Sequence, residues 1–215
     1  MKYETVLFDL DGTLLDTLED LKDAVNHELA LAGYPTRTLE EVRTFVGNGL
    51  RMLMKRALPQ KCSEEEVSER TASMRRYYHE HSVHKTKPYA GVVEIMERLQ
   101  AEGVAVGVVS NKMDEAVKTL CAHFFPGLTQ VNVGEMAGVP RKPAPDMVAY
   151  ALRELGKSKE GAVYVGDSEV DVTVARNAQL PCIAVSWGFR PKAALEEAGA
   201  DVIADTAEQL WAALE

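Results

Sequence analysis

Asp9 and Asp11 stand two residues apart at the end of the apolar run Thr5-Val6-Leu7-Phe8 and are followed by Gly12-Thr13. A carboxylate at the end of a buried strand is costly unless something neutralises it. The pair therefore suggests a divalent cation and a reacting electrophile. The competing reading is an ordinary turn, which Asp and Gly favour for local backbone reasons. Ser110-Asn111, after the apolar run 104–109, suits either the cap of a helix starting near Lys112 or a cradle for phosphate oxygens at that helix start. Lys142 precedes Pro143, which favours extended backbone, and Pro145 suits a first helical turn, so the stem of this cation is constrained. Asp167 and Asp171, after Ala162-Val163-Tyr164-Val165-Gly166, face the same way if both lie in one first helical turn. They then repel unless a cation or the helix N-terminus offsets their charge. Added to Asp9 and Asp11, they make an oxygen-rich acidic set of the kind that suits Mg²⁺ with retained waters and a substrate phosphate.

These groups can act together only if the fold gathers them. From residue 88 onward, apolar runs at 104–109, 130–133, 162–165, 183–185 and 202–204 alternate with amphipathic stretches, two of which end near Gly103 and Gly156. Strand and helix in alternation imply a parallel sheet with helices on both faces, joined by the strand of residues 5–8. Ligands of such sheets bind beyond the carboxyl ends of the strands, where these polar residues fall. Between Thr17 and Pro88 no β run appears. Leu18, Leu21, Val25 and Leu29 form a helical stripe that Thr17 with Asp20 would cap, and Ser63-x-x-Glu66 opens a long helix carrying Val67, Met74, Tyr78 and His81. The chain therefore reads as an α/β sheet domain, 1–16 and 88–215, interrupted after its first strand by an all-helical domain, 17–87.

The 24 Lys and Arg against 33 Asp and Glu give a net charge of -9, a field that repels nucleic acid and anionic membrane surfaces. Any phosphate must be captured by a few local cations. No signal-peptide pattern or membrane-length apolar stretch is visible, so a cytoplasmic protein with no membrane partner is the expectation. Cys62, Cys121 and Cys182 are odd in number and far apart, which indicates neither a disulfide framework nor a zinc site. His79, His81 and His84 lack the i, i+4 spacing of a helical metal pair and read as a solvated helix end.

Taken in order, Asp9-Leu10-Asp11-Gly12-Thr13, Ser110-Asn111, Lys142-Pro143 and Gly166-Asp167-x-x-x-Asp171 resemble the four motifs of the haloacid dehalogenase-like (HAD) phosphohydrolases. The resemblance covers essentially the whole chain. It implies a doubly wound, Rossmann-like HAD core with a small helical cap, the C1 type, inserted after the first strand. Val46-Gly47-Asn48-Gly49 and Val109-Ser110-Asn111-Lys112 are most similar to phosphoglycolate phosphatases. What the resemblance implies for activity is hydrolysis of a small organic phosphate through an aspartyl-phosphate. Asp9 would be the nucleophile and Asp11 the general acid and base. Mg²⁺ would be held by the Asp9 carboxylate, the Asp11 backbone carbonyl and Asp167, with Asp171 in support. Gly12, Thr13, Ser110, Asn111 and Lys142 would hold the phosphoryl group, and Asn48, Gly49 and Arg51 of the cap would meet the substrate. Arg43, Arg51 and Lys55 equally suit a solvated helix face, and Trp187-Gly188 either walls the pocket or packs at its rim. A phosphomutase of the β-phosphoglucomutase type, a pyrophosphate or nucleotide phosphatase, and a receiver-type phospho-acceptor module are the alternatives. A monomer or homodimer is expected, with a small phosphorylated metabolite as its partner.

Overall fold

The computed structural model describes all 215 residues. The chain forms β1 (Thr5–Phe8), then β2 (Leu15–Asp16), four helices α1 (Leu18–Leu31), α2 (Leu39–Phe45), α3 (Gly49–Ala57) and α4 (Glu64–His81), then β3 (Lys87–Pro88). It continues through α5 (Val92–Ala101), β4 (Ala105–Met113), α6 (Asp114–Phe124), β5 (Val131–Glu135), α7 (Asp146–Glu154) and β6 (Ala162–Gly166). It ends with α8 (Glu169–Ala178), β7 (Cys182–Val185), α9 (Lys192–Ala198), β8 (Val202–Ala204) and α10 (Ala207–Leu214). Two compact units result, Met1–Leu15 with Pro88–Glu215, and Asp16–Lys87.

The first unit is a six-stranded parallel sheet in the order β5-β4-β1-β6-β7-β8. Strand β1 lies inside it, and its side chains alternate between two apolar layers. Val6 and Phe8 join α5, α6 and α10 through residues such as Ile95, Leu120 and Leu210, while Leu7 joins α7 and α8 through Val148, Ala151 and Val174. Burial on both faces explains why these strands read as continuous apolar runs. Each fully buried Leu or Phe contributes about 1.5–3 kcal/mol of transfer free energy, so the sheet is a rigid base for whatever its carboxyl ends carry. The fold is α/β and doubly wound, as the alternation of runs predicts.

The second unit is helical. Leu18, Leu21, Val25 and Leu29 of α1 are buried, as are Val67, Met74 and Tyr78 of α4, and α1 packs on α4. Ser63 caps α4 by accepting from Glu66 N, but the Glu66 carboxylate accepts from Tyr34 Oη instead of closing the box. At α1 the expected cap does not form. Thr17 makes no capping bond, Leu18 N donates to Asp16 Oδ1, and buried Asp20 instead accepts from Lys85 N, Thr86 N and Thr86 Oγ1. His81 stacks on Tyr77, with ring centroids 4.0 Å apart, and donates from Nδ1 to Tyr77 O. The three cysteines are free thiols. No helix is long and apolar enough to cross a membrane.

Candidate active site

The register of β1 brings the chemistry together. Phe8 pairs with Val108 of β4 on one side and Val165 of β6 on the other, and the next backbone N–H, of Asp9, still donates to Val165 O at 2.8 Å. Asp9 thus stands level with the carboxyl ends of both neighbouring strands. The chain then coils tightly: Leu10 O accepts from Leu14 N and Leu15 N, each at 3.0 Å, while buried Leu10 and Leu14 anchor the coil in the core. Gly12 adopts φ +89, and a Cβ there would lie 2.3 Å from Asp167 Oδ2. Only glycine allows both the left-handed backbone and that approach.

Asp9, Asp167 and Asp171 are buried, and one carboxylate oxygen from each lies within 4.8 Å of the others. Asp167 does not enter the helix as its spacing with Asp171 suggests. It precedes α8, accepting from Phe189 N at 2.7 Å through Oδ2 and from Thr13 Oγ1 at 3.3 Å through Oδ1. Asp171, in the first turn of α8, accepts from Ser168 N and Oγ through Oδ2 and from Lys142 Nζ through Oδ1. The Lys142 ammonium, also buried, lies 2.9 Å from Asp9 Oδ1 and 2.8 Å from Asp171 Oδ1.

Two residues of this network escape the sequence reading. Tyr164, in β6, accepts from Lys142 Nζ at 2.9 Å and donates to Val109 O at 2.9 Å. It reads as one more apolar residue of a buried strand, and only its hydroxyl distinguishes it. Lys112 is the second. Between β4 and β5 the pairing passes from Val109–Val133 to Met113–Glu135, four positions against two, so β4 carries a bulge over Ser110, Asn111 and Lys112. All three are buried, as are Val106, Val108 and Val109 before them in this interior strand. The expected helix start near Lys112 is thereby corrected: β4 runs on to Met113 and α6 begins at Asp114. Lys112 Nζ donates to both oxygens of Asp11 at 2.9 Å. The Asn111 side chain donates to Lys142 O at 2.9 Å, bracing the segment that carries the lysine, while Ser110 Oγ accepts from Lys112 N.

Burial pushes the Asp9 carboxyl up to about 7, with the negative charges of Asp171 and Asp11 adding to it and Lys142 opposing. Burial, then Asp171 and Asp9, hold Asp167 well above the usual carboxylate range. For Lys142, burial disfavours the charge, but Asp171 and Asp9 outweigh it and hold the ammonium well above its ordinary value. The cluster is thus rich in negative charge. Four carboxyl groups, Asp9, Asp11, Asp167 and Asp171, share two ammonium groups, Lys112 and Lys142, so the cluster can be fully ionised only with further positive charge beside it. Asp9 Oδ1 accepts no well-directed hydrogen bond despite its ion pair with Lys142. Gly188 crowds the same place, where a Cβ would fall 2.4 Å from Asp167 Oδ2 and 2.4 Å from Gly12 O. Hard oxygen donors, a buried Asp9 oxygen with no well-directed hydrogen bond and carboxyls whose ionisation needs added positive charge together fit a divalent ion such as Mg²⁺. The Asp11 side chain lies outside the three-carboxylate group, on Lys112.

Of the remaining sequence candidates, all but Trp187 lie in the helical unit. Asn48 precedes Gly49, the first residue of α3, and its Oδ1 accepts from Arg56. Arg51 bonds Ser68 and Glu64, Lys55 bonds Glu64, and Arg43 pairs with Glu40. All four are thus engaged within their own unit. Trp187 donates from Nε1 to Thr13 O at 3.1 Å, tying β7's exit to the β1 coil.

A family profile for haloacid dehalogenase-like hydrolases matches residues 6–185. The phosphoglycolate phosphatase of Pseudomonas syringae pv. tomato is 33% identical over 212 residues, covering 95% of this chain and 77% of that protein. That of Aquifex aeolicus is 32% identical over 185 residues, 86% of this chain and 85% of its own. A crystal structure from Lactobacillus delbrueckii subsp. bulgaricus, of a candidate phosphoglycolate phosphatase, superposes with a TM-score of 0.93 at 37% identity, covering 100% of this chain and 99% of the other. With the sheet, the acidic trio and the lysine at its carboxyl edge in agreement, the chain belongs to the haloacid dehalogenase-like hydrolase family and is a phosphatase of the phosphoglycolate phosphatase-like type.

Proposed function

We propose that the chain is a Mg²⁺-dependent phosphomonoesterase acting on a small organic phosphate, with phosphoglycolate the first substrate to test. The observation that carries this reading is the buried trio Asp9, Asp167 and Asp171, gathered within 4.8 Å beside Lys142. Bound there by Asp9, Asp167 and the Asp11 backbone carbonyl, with Asp171 in support, the ion would supply the positive charge that lets an anionic nucleophile meet an anionic phosphate.

In this mechanism Asp9 attacks phosphorus and becomes an aspartyl-phosphate while the leaving oxygen keeps the electron pair of its broken P–O bond. Asp11 gives that oxygen a proton, then takes one from the water that hydrolyses the intermediate and frees Asp9. Lys142 steadies the charge of the transferring group, and Ser110, Thr13 and the backbone at Gly12 and Asn111 orient its oxygens. The helical unit is proposed as the cap that selects substrates, with Asn48, Gly49 and Arg51 as its candidate contacts. A cytoplasmic location accords with three free cysteines.

Purified protein assayed for phosphate release against phosphoglycolate, sugar phosphates, nucleotides and pyrophosphate tests the proposal. Multiple turnover with a monoester, abolished by EDTA and restored by Mg²⁺, is expected without a bisphosphate activator. Turnover that persists in EDTA would remove the metal, and a requirement for a bisphosphate would turn the reading towards a mutase.

A further inference from the structure

We propose that Lys112 is a positioning residue: it fixes the Asp11 carboxylate for proton transfer and thereby sets how poor a leaving group this enzyme can expel. The proposal rests on the reading of Asp11 as general acid and base given above. Lysines are seldom fully buried, yet this side chain is only 2% exposed and its Nζ sits 2.9 Å from each Asp11 oxygen. Asp11 belongs to the coil after β1, and its side chain is 15% exposed. An ammonium bonded to both of its oxygens holds the carboxylate in one orientation.

The arrangement is costly to build. The β4 bulge places Ser110, Asn111 and Lys112 together at the strand end, so the cation arrives on a strand paired directly with β1. Lys142 cannot take its place, because its ammonium is committed to Asp9, Asp171 and Tyr164. The two lysines divide the acidic cluster, one serving the nucleophile and the other the proton donor. Proton transfer requires the donor within about 2.6–3.2 Å of the oxygen it serves, and misplacement by about 1 Å can cost on the order of 100-fold. An alkoxide leaves poorly unless it is protonated, whereas a nitrophenolate leaves well by itself. A slackened Asp11 therefore harms alkyl esters selectively.

The test compares wild type, Lys112→Met, Asp11→Asn and the double variant, using kcat/KM, which reports the steps through departure of the first product. Substrates are glycerol phosphate and 4-nitrophenyl phosphate. Lys112→Met is expected to lower kcat/KM on the order of 100-fold for the alkyl ester and less than about 10-fold for the aryl ester. Lys112→Arg, which keeps a two-pronged donor, should recover part of the alkyl rate. In the Asp11→Asn background Lys112→Met should cost less than about 2-fold, because its effect runs through Asp11. Equal losses for both esters, or an undiminished loss when Asp11 is already Asn, would overturn the proposal. If Lys112→Met does not fold, Lys112→Arg takes its place, and an unchanged ratio of alkyl to aryl kcat/KM in that variant together with a loss above about 2-fold for the double variant against Asp11→Asn would overturn the proposal. Should Asp11→Asn itself show no difference between the esters, the acid and base reading of Asp11 fails instead.

Discussion

Asp9 is under opposing demands. Burial raises its pKa to about 7 while Lys142 pulls the other way, so in the metal-free protein it is half protonated near neutrality. Between its ordinary value of 3.8 and about 7 the folded chain holds a proton that the unfolded chain releases, so this group's contribution to stability is fully present below 3.8 and is lost as pH rises through 7. Binding of Mg²⁺ favours the carboxylate. Its apparent affinity should therefore climb as pH rises through about 7, with proton release per ion shrinking from pH 6.5 to 8.5. Calorimetric titration in buffers of different ionisation heat measures this, and pH-independent affinity would contradict the assignment. Asp9→Asn should abolish turnover, by a factor on the order of 1,000 or more, while metal-free melting at pH 8 stays equal or rises because a buried charge is gone. Activity near wild type would strip Asp9 of its role.

At the scale of elements, two loops and one bulge make the site. Gly12 and Gly188 let the β1 coil and the segment after β7 close on Asp167 from both sides. Gly188→Ala would set a methyl 2.4 Å from Asp167 Oδ2, so Asp167 must turn away. We expect at least a 10-fold loss of Mg²⁺ affinity, in line with disturbance of a ligand's support, with melting lowered by only a few degrees. Unchanged affinity by metal titration would show that Asp167 is not a ligand. The same scale accounts for the misread helix start. Ser110 and Asn111 have ideal capping side chains, but the bulge keeps them in β4 and turns them inward, and local propensity carries no trace of a register shift set by a neighbouring strand.

For the whole molecule, the charge of -9 means that approach of an anionic substrate depends on the lysines buried at the sheet edge. The chain also forms two compact units, and every carboxylate of the proposed metal site belongs to the sheet unit. Mg²⁺ at 100 times its Kd should then stabilise that unit by about 2.7 kcal/mol, raising its melting temperature by roughly 5–10 °C. Scanning calorimetry checks this. If the units melt separately, the transition of the helical unit should not move, and a shift confined to it would place the ion elsewhere.

The sequence alone determined the alternation of buried runs and amphipathic helices, because hydrophobic periodicity is a local property, and with it the parallel sheet and the side on which polar residues collect. It also carried Asp9, Asp11, Ser110, Lys142, Asp167 and Asp171 as a set, since strand ends are where charges stand out against apolar surroundings. Only the tertiary structure decided how that set divides: Asp9, Asp167 and Asp171 around one point with Lys142, and Asp11 turned to Lys112. It likewise revealed Tyr164 as Lys142's support and Asp20 as a clasp within the helical unit. Apart from Asp167 with Asp171, these pairings join residues about 20 or more positions apart, so their energy depends on a register and a burial that no stretch of sequence contains by itself.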